Sequence, residues 1–310
     1  MSVPDDGVEI RRGDAGYPAR VAELRGAPPV LYVRGDPSAL DAPALAVIGS
    51  RRATPYGLAV AEMAGRMAAE AGIAVVSGGA RGCDQAAGWA ALRAGGRHVV
   101  VLGTGADDGS VYPATARGLV RRALAAGGAA VSLEPWGAGP QRWAFPKRNR
   151  VIAALSGALV VAEAGMPSGT FSTAEASVEL GHEVLAVPGS IFSPESRGSN
   201  RLIADGACCI ADEEALEVAL SRIYGTLRFC RAPARGLEAG DACEQRVLAA
   251  LVANPMRTED LAAGLGLGGV DCLMRLSALE ARGAVERLAD GRWAPAKSAL
   301  HAMTALGQNG

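Results

Sequence analysis

Short apolar runs recur along the first two thirds of this chain: 44–48, 73–76, 98–102, 129–133, 158–162, 183–187 and 208–210. Most are continuous rather than alternating, the pattern of strands covered on both faces. Between them, 56–71, 84–94, 114–126, 148–155 and 173–181 have helical periodicity. Strand and helix alternating in this way predict an α/β fold with a doubly wound, mostly parallel sheet. The pattern changes after Ser221. Residues 222–240 mix Gly, Pro and charge with little periodicity and read as a linker. Amphipathic segments then follow at 243–252, 258–265 and 270–281, with a hairpin over 284–293. Three helices and a hairpin describe a winged helix. The expected organisation is a segment over 1–40 leading into the core, a Rossmann-like domain over 41–221, the linker, a winged-helix domain over 241–296 and a tail over 297–310.

The carboxyl ends of the predicted strands carry the chemistry. They run into Gly49-Ser50-Arg51-Arg52, Ser77-Gly78-Gly79-Ala80-Arg81-Gly82, Gly103-Thr104-Gly105 and Pro188-Gly189-Ser190. Ligands of open α/β sheets bind at these ends, and glycine lets backbone amides approach a phosphate. A tight strand-to-helix turn also needs glycine, but four such loops, two bearing arginine, favour a phosphate-rich ligand. The first strand is followed by Gly49-Ser50-Arg51-Arg52-Ala53-Thr54 rather than GxGxxG, and no Walker A sequence occurs, which argues against a dinucleotide or a P-loop nucleotide. Thr54 and Pro55 read as N-cap and first helical residue, leaving Arg51 and Arg52 on the loop ahead. Asp84 reads as a second N-cap, and Thr258 as the N-cap of the winged helix's second helix.

The segment from Arg142 to Ala153 is the most suggestive. It places Arg142, Lys147, Arg148 and Arg150, the aromatics Trp143 and Phe145, and Asn149 directly before an apolar helix start. Bases stack on flat side chains, and phosphates pair with cations or with helix N-termini. The same residues also suit a basic loop that caps a helix while its two aromatics fill a crevice.

Composition narrows these readings. Hydrophobic residues make up 49% of the 310 residues but aromatics only 4%, so the core is built from Ala, Val, Leu and Ile. A formal charge of −1 excludes a globally basic nucleic-acid binder and requires a local patch. Lys147 and Lys297 are the two lysines; every other cation is arginine, which suits phosphate forks and stacking. The six cysteines show no CxxC and no Cys/His ligand spacing, so neither zinc nor a disulfide scaffold is expected, consistent with a reducing cytosol. Cys208 and Cys209 read as small core residues. No signal peptide and no membrane-length apolar run are evident, and no cofactor or metal is indicated. The winged helix's third helix sets Arg275 and Arg282 against Asp271 and Glu280, too balanced to hold a phosphate backbone by charge.

Taken in order, these motifs resemble the DNA-processing protein A family (DprA, also called Smf). The resemblance rests on Ala46-Val47-Ile48-Gly49-Ser50-Arg51, on Ser77–Asp84, and on Val101–Gly105 with Tyr112-Pro113. It continues through Phe145-Pro146-Lys147-Arg148-Asn149-Arg150, Ser168-Gly169-Thr170, Val187–Ser190 and Asn200–Ile203. It covers roughly residues 17–219, and the winged helix resembles the family's usual appendage. It implies a cytoplasmic, homodimeric protein, not an enzyme, that binds single-stranded DNA and hands it to RecA in natural transformation. By that resemblance Arg51 and Arg142 contact the DNA backbone and Phe145 lies against a base. Arg148 and Arg150 match the motif's cations, and Ser168, Gly169 and Thr170 match a loop that offers amides to phosphate. Arg52, Arg81, Lys147 and Asn149 complete the candidate DNA-binding set. The sequence departs from the family's pattern at Cys83, Phe171 and Ser172, and no full N-terminal helical domain of the kind many members carry is expected within residues 1–40.

The alternative is a nucleotide-processing enzyme on a related fold, the phosphoribohydrolases sometimes described as lysine decarboxylase-like. Those need a PGGxGTxxE loop whose glutamate acts on the ribosyl bond. The corresponding run here, Gly165 to Thr173, keeps only the Gly-Thr pair and puts Thr173 at the glutamate position. Threonine supplies neither acid nor base; Glu163 and Glu175 are the nearby carboxylates.

Overall fold

A computed structural model describes residues 3–226, 241–297 and 299–300. The expected doubly wound sheet is present. It opens with β1 (Gly7–Arg11), a single helical turn α1 (Ala19–Ala22) and β2 (Val30–Gly35). The repeating part then runs β3 (Ala44–Ile48), α2 (Pro55–Glu70), β4 (Ala74–Ser77), α3 (Cys83–Arg93), β5 (His98–Leu102), α4 (Arg117–Ala125) and β6 (Ala129–Ser132). It continues with α5 (Ala144–Leu155), β7 (Ala158–Val161), α6 (Thr170–Glu179), β8 (Glu183–Ala186), α7 (Arg197–Ala204), β9 (Cys208–Cys209) and α8 (Glu213–Tyr224).

The strand order is β1-β2-β6-β5-β4-β3-β7-β8-β9, with β3 to β9 parallel and the β1–β2 ribbon added antiparallel to β6. Residues 7–35 therefore extend the sheet instead of merely leading into it. Every residue of β3, β5 and β7 is buried, and separate apolar clusters cover the two faces. The chain winds one way from β3 through β4 and β5, then crosses to β7 on β3's other side. That reversal opens a crevice at the carboxyl ends of β3 and β7, where doubly wound sheets bind ligands.

Several expectations shift. Helix α5 starts at Ala144, four residues before the expected Arg148, because Pro146 lies in the first turn, where its missing N–H breaks no intrahelical bond. Helix α6 starts at Thr170, three residues early. Cys208 and Cys209 are exposed, not core: β9 is a two-residue edge strand paired only with β8. Asp84 is not an N-cap. It lies inside α3's first turn, and Gly82 takes the cap position. Thr54 does cap α2, accepting from the Gly57 amide at 3.2 Å. Helix α8 runs to Tyr224, past the expected boundary at 221, and Arg222 on it pairs with Glu183. Of the expected linker, 227–240 lies outside the described residues, as does the expected tail from 301 on.

The C-terminal unit comprises α9 (Ala242–Ala253), α10 (Thr258–Leu265), α11 (Gly269–Ala281) and a hairpin of β10 (Val285–Arg287) and β11 (Trp293–Pro295). These elements close on a core of Val247, Leu251, Leu261, Leu276, Leu279 and Trp293, which is the expected winged helix. Thr258 is α10's first residue and not its cap; its hydroxyl accepts from the Trp293 indole at 3.1 Å. The wing reaches the sheet domain through Arg292 to Glu195 (2.9 Å), and Lys297 just beyond it reaches Glu62 on α2 (2.7 Å). Among the described residues no single helix is long and apolar enough to cross a membrane.

Candidate nucleic-acid interface

A groove of about 990 Å³ opens at the crevice between β3 and β7. Its walls are the loop after β3, the loop after β4, the first turns of α5 and the loop leading into α6.

The β3 loop is held from below by Glu163, which follows β7. Its carbonyl accepts the Ser50 amide at 2.8 Å, and its carboxylate takes the Thr54 amide at 3.0 Å and the Thr54 hydroxyl. Burial pushes the Glu163 carboxyl upward against these hydrogen bonds. With the loop's base fixed, Arg51 and Arg52 project as exposed cations.

Beneath the β4 loop lies a buried pair of opposite charges. Asp84 accepts the amides of Gly78 (2.9 Å) and Ala80 (3.4 Å), and the Arg148 guanidinium packs against Gly78. Burial raises the Asp84 carboxyl, with Arg148 acting against it. Burial lowers Arg148 to about 10, with Asp84 opposing, so the guanidinium stays charged at neutral pH. A Cβ on Gly78 would overlap that guanidinium, so the close approach requires glycine.

Phe145 sits above this pair on α5. Its ring rests on Gly103, where an added Cβ would come within 2.8 Å of it. The Arg51 guanidinium lies 5.7 Å from the ring centroid, that of Arg148 5.9 Å, and the Tyr112 ring 6.4 Å. The ring is half-buried: it is supported from below, and it lines the groove. The crevice-filling reading of the two aromatics thus holds for Phe145 in part and fails for Trp143, which is 52% exposed.

On the far wall, the Ser168 hydroxyl bonds the Thr170 hydroxyl at 2.8 Å and accepts the Thr170 amide at 3.2 Å. These bonds fix the turn that starts α6 and present the positive end of its dipole to the groove. Asn149 donates to the Gly169 carbonyl (3.4 Å) and to the Ser172 hydroxyl (2.8 Å), joining the two walls.

The structure thus brings together Arg51, Arg52, Arg142, Phe145, Arg148, Asn149, Ser168, Gly169 and Thr170. Arg81, Lys147 and Arg150 are not among the lining residues. Lys147 stacks on Trp143 with its ammonium 4.5 Å from the ring centroid, and Arg150 pairs with Glu179 at 3.0 Å. Tyr112, Glu195, and the Asp84–Arg148 pairing were not foreseen. Tyr112 had a usable signal, an aromatic in the loop that follows the Gly-Thr-Gly end of β5.

Fold and site together define a doubly wound α/β protein with an attached winged helix. Its switch-point groove combines arginines, a half-buried aromatic ring and a helix N-terminus, a lining suited to a phosphate-bearing, base-bearing chain. A family model described as DNA recombination-mediator protein A matches residues 9–220, and one described as DprA winged helix domain matches residues 231–291. The chain belongs to the DNA recombination-mediator protein A family. It is 38% identical over 202 residues to protein Smf of Escherichia coli, covering 65% of this chain and 54% of that one, so it spans about half of that relative's length. It is 38% identical over 283 residues to a DNA processing protein DprA of Mycobacterium tuberculosis, covering 90% of this chain and 72% of that one. A structure of DNA processing protein A from Helicobacter pylori, which concerns that protein's single-stranded DNA binding mode, aligns with a TM-score of 0.62. That alignment has 27% identity and covers 70% of this chain and 97% of that one.

Proposed function

We propose that this chain binds single-stranded DNA in the switch-point groove and, as a homodimer in the cytoplasm, loads RecA onto incoming DNA during natural transformation, without catalysis of its own. The observation that carries the reading is the convergence of Arg51, Arg142 and Phe145 on one groove facing the α6 N-terminus. The cations take phosphates, the outward side of the ring takes a base, and neither contact selects a particular base. Family membership and the binding described for the Helicobacter protein support the same reading. A duplex keeps its bases stacked inside and cannot use the ring, so single strands gain where duplexes do not.

The phosphoribohydrolase alternative lacks the glutamate its loop motif requires. Thr173 stands in the glutamate position and is buried, Glu163 is committed to Thr54 and the loop amide, and Glu175 is exposed without lining the groove. The test is a titration of labelled oligo(dT) against matched duplex, followed by RecA filament assembly on single strands coated with single-strand-binding protein. Preferential single-strand binding and faster RecA assembly are expected. Equal affinity for duplex would overturn the groove assignment, and unchanged RecA assembly would overturn the mediator role.

A further inference from the structure

Two carboxylates line the groove, those of Asp84 and Glu195. Each is a like charge to any phosphate laid along it, and in a partly shielded site such repulsion persists. Asp84 is answered from within the sheet domain by Arg148 and two loop amides. Glu195, in the connection from β8 to α7, is answered from outside. Its carboxylate accepts from the Ser193 hydroxyl at 2.7 Å and from the Arg292 guanidinium at 2.9 Å. Arg292 sits in the wing of the C-terminal domain, gripped on its other side by Asp290 at 2.8 Å. Burial works against charging Glu195, but Ser193 and Arg292 outweigh it and hold the carboxyl below its usual range. The charge is therefore present at neutral pH, and its cation comes from the wing. Both side chains are about three-quarters covered, at 23% and 25% exposure, so solvent screens the pair only partly.

We propose that Arg292 is a remote part of the single-strand site: the wing neutralises Glu195, so docking of the C-terminal domain sets the groove's affinity for a phosphate backbone without itself touching the strand. The inference rests on the function proposed above. It gives the winged helix a part in binding that its charge-balanced third helix does not supply. The Lys297–Glu62 contact holds the chain just beyond the wing against α2 and so helps keep Arg292 in place.

The test is a double-mutant cycle in the full chain, read as affinity for labelled oligo(dT) at several salt concentrations, with a thermal melt of each variant. Arg292→Ala should weaken binding by about tenfold at low salt, an effect that shrinks as salt rises. Arg292→Lys should restore most of it. Glu195→Gln should bind at least as tightly as the unaltered chain, and the Arg292→Ala, Glu195→Gln double variant should match Glu195→Gln. A double variant as weak as Arg292→Ala alone would overturn the inference, because Arg292 would then act on the strand directly or through folding. Full affinity in Arg292→Ala would overturn it as well. Should Arg292→Ala unfold the C-terminal domain, Glu195→Gln decides by itself: weaker binding than the unaltered chain is the refuting result. Absence of oligo(dT) binding in every variant, the unaltered chain included, would overturn the single-strand reading and this inference with it.

Discussion

Phe145→Ala separates a ring that binds from a ring that merely packs. The ring rests on Gly103, with the Arg51 guanidinium over it and the Tyr112 ring beside it, and it lines the groove. One base stack is worth about 1–3 kcal/mol by alanine substitution, or roughly 5- to 150-fold in Kd. Loss of the Arg51–ring contact removes a further ~0.5–1 kcal/mol of local order at an exposed site. The cost in folding should stay below the ~3–5 kcal/mol of a fully buried Phe, because this ring is only half-buried. The assay pairs oligo(dT) affinity across salt with thermal denaturation. Affinity should fall within the stated range, the log–log salt slope should hold because no cation is removed, and melting should shift modestly. Unchanged affinity in a folded variant would refute the stacking role. A large loss of stability with affinity intact per folded molecule would show that the ring belongs to the core.

Three further outcomes follow from the same geometry. Arg51→Ala should weaken binding on all single-stranded sequences alike and flatten the log–log salt slope by about 0.7; an unchanged slope removes Arg51 from the strand's path. Gly78→Ala should displace the Arg148 guanidinium and strand the Asp84 carboxylate, destabilising the fold by up to about 3 kcal/mol and weakening oligo(dT) binding; a melt and an affinity both unchanged would show that the buried pair does not organise the groove. His98 is fully buried beside the Ser77 hydroxyl (3.0 Å), and burial drives it from 6.5 to about 3. Protons therefore favour the unfolded chain: the stability is present above pH ~6.5 and is lost as pH falls towards 3, by about 2 kcal/mol between pH 7 and 5. Denaturant titration at those two pH values, with His98→Gln as the control that abolishes the difference, checks the sign.

Strands buried on both faces are legible because they are apolar at nearly every position, with polar residues only at their ends, and β3 through β8 read accordingly. The β1–β2 ribbon was not foreseen: β1 has one buried residue in five, while the apolar run 30–33 of β2 was a usable signal that went unread. Cys208 and Cys209 misled for the opposite reason. They adjoin the buried Ile210, but their strand pairs on one side only. The groove's loops were legible because each is a local motif at a strand end. The pairs that set its charge were not, since Glu195 and Arg292 stand 97 residues apart and meet only when the wing docks.

The basic segment shows how far the start of a helix decides the chemistry. Read as a loop, it offers every cation from Arg142 to Arg150 to a ligand. With α5 beginning at Ala144, its residues that line the groove are Phe145, Pro146, Arg148, Asn149 and Ile152. Apart from Pro146 in the first turn, their spacing of i, i+3, i+4 and i+7 marks one face of a helix. Lys147 and Arg150 fall at i+2 and i+5, on other faces, and find partners there in Trp143 and Glu179. Of the cations on this segment, Arg148 is buried and already opposes Asp84, which leaves Arg142, ahead of the helix, as the exposed one that lines the groove. Arg51 and Arg52 join it from the β3 loop. On the proposed reading, a net charge of −1 is no obstacle to holding a strand: the fold gathers the exposed cations at one switch point, Asp84 faces two loop amides and the charge of Arg148, and Glu195 pairs with Arg292.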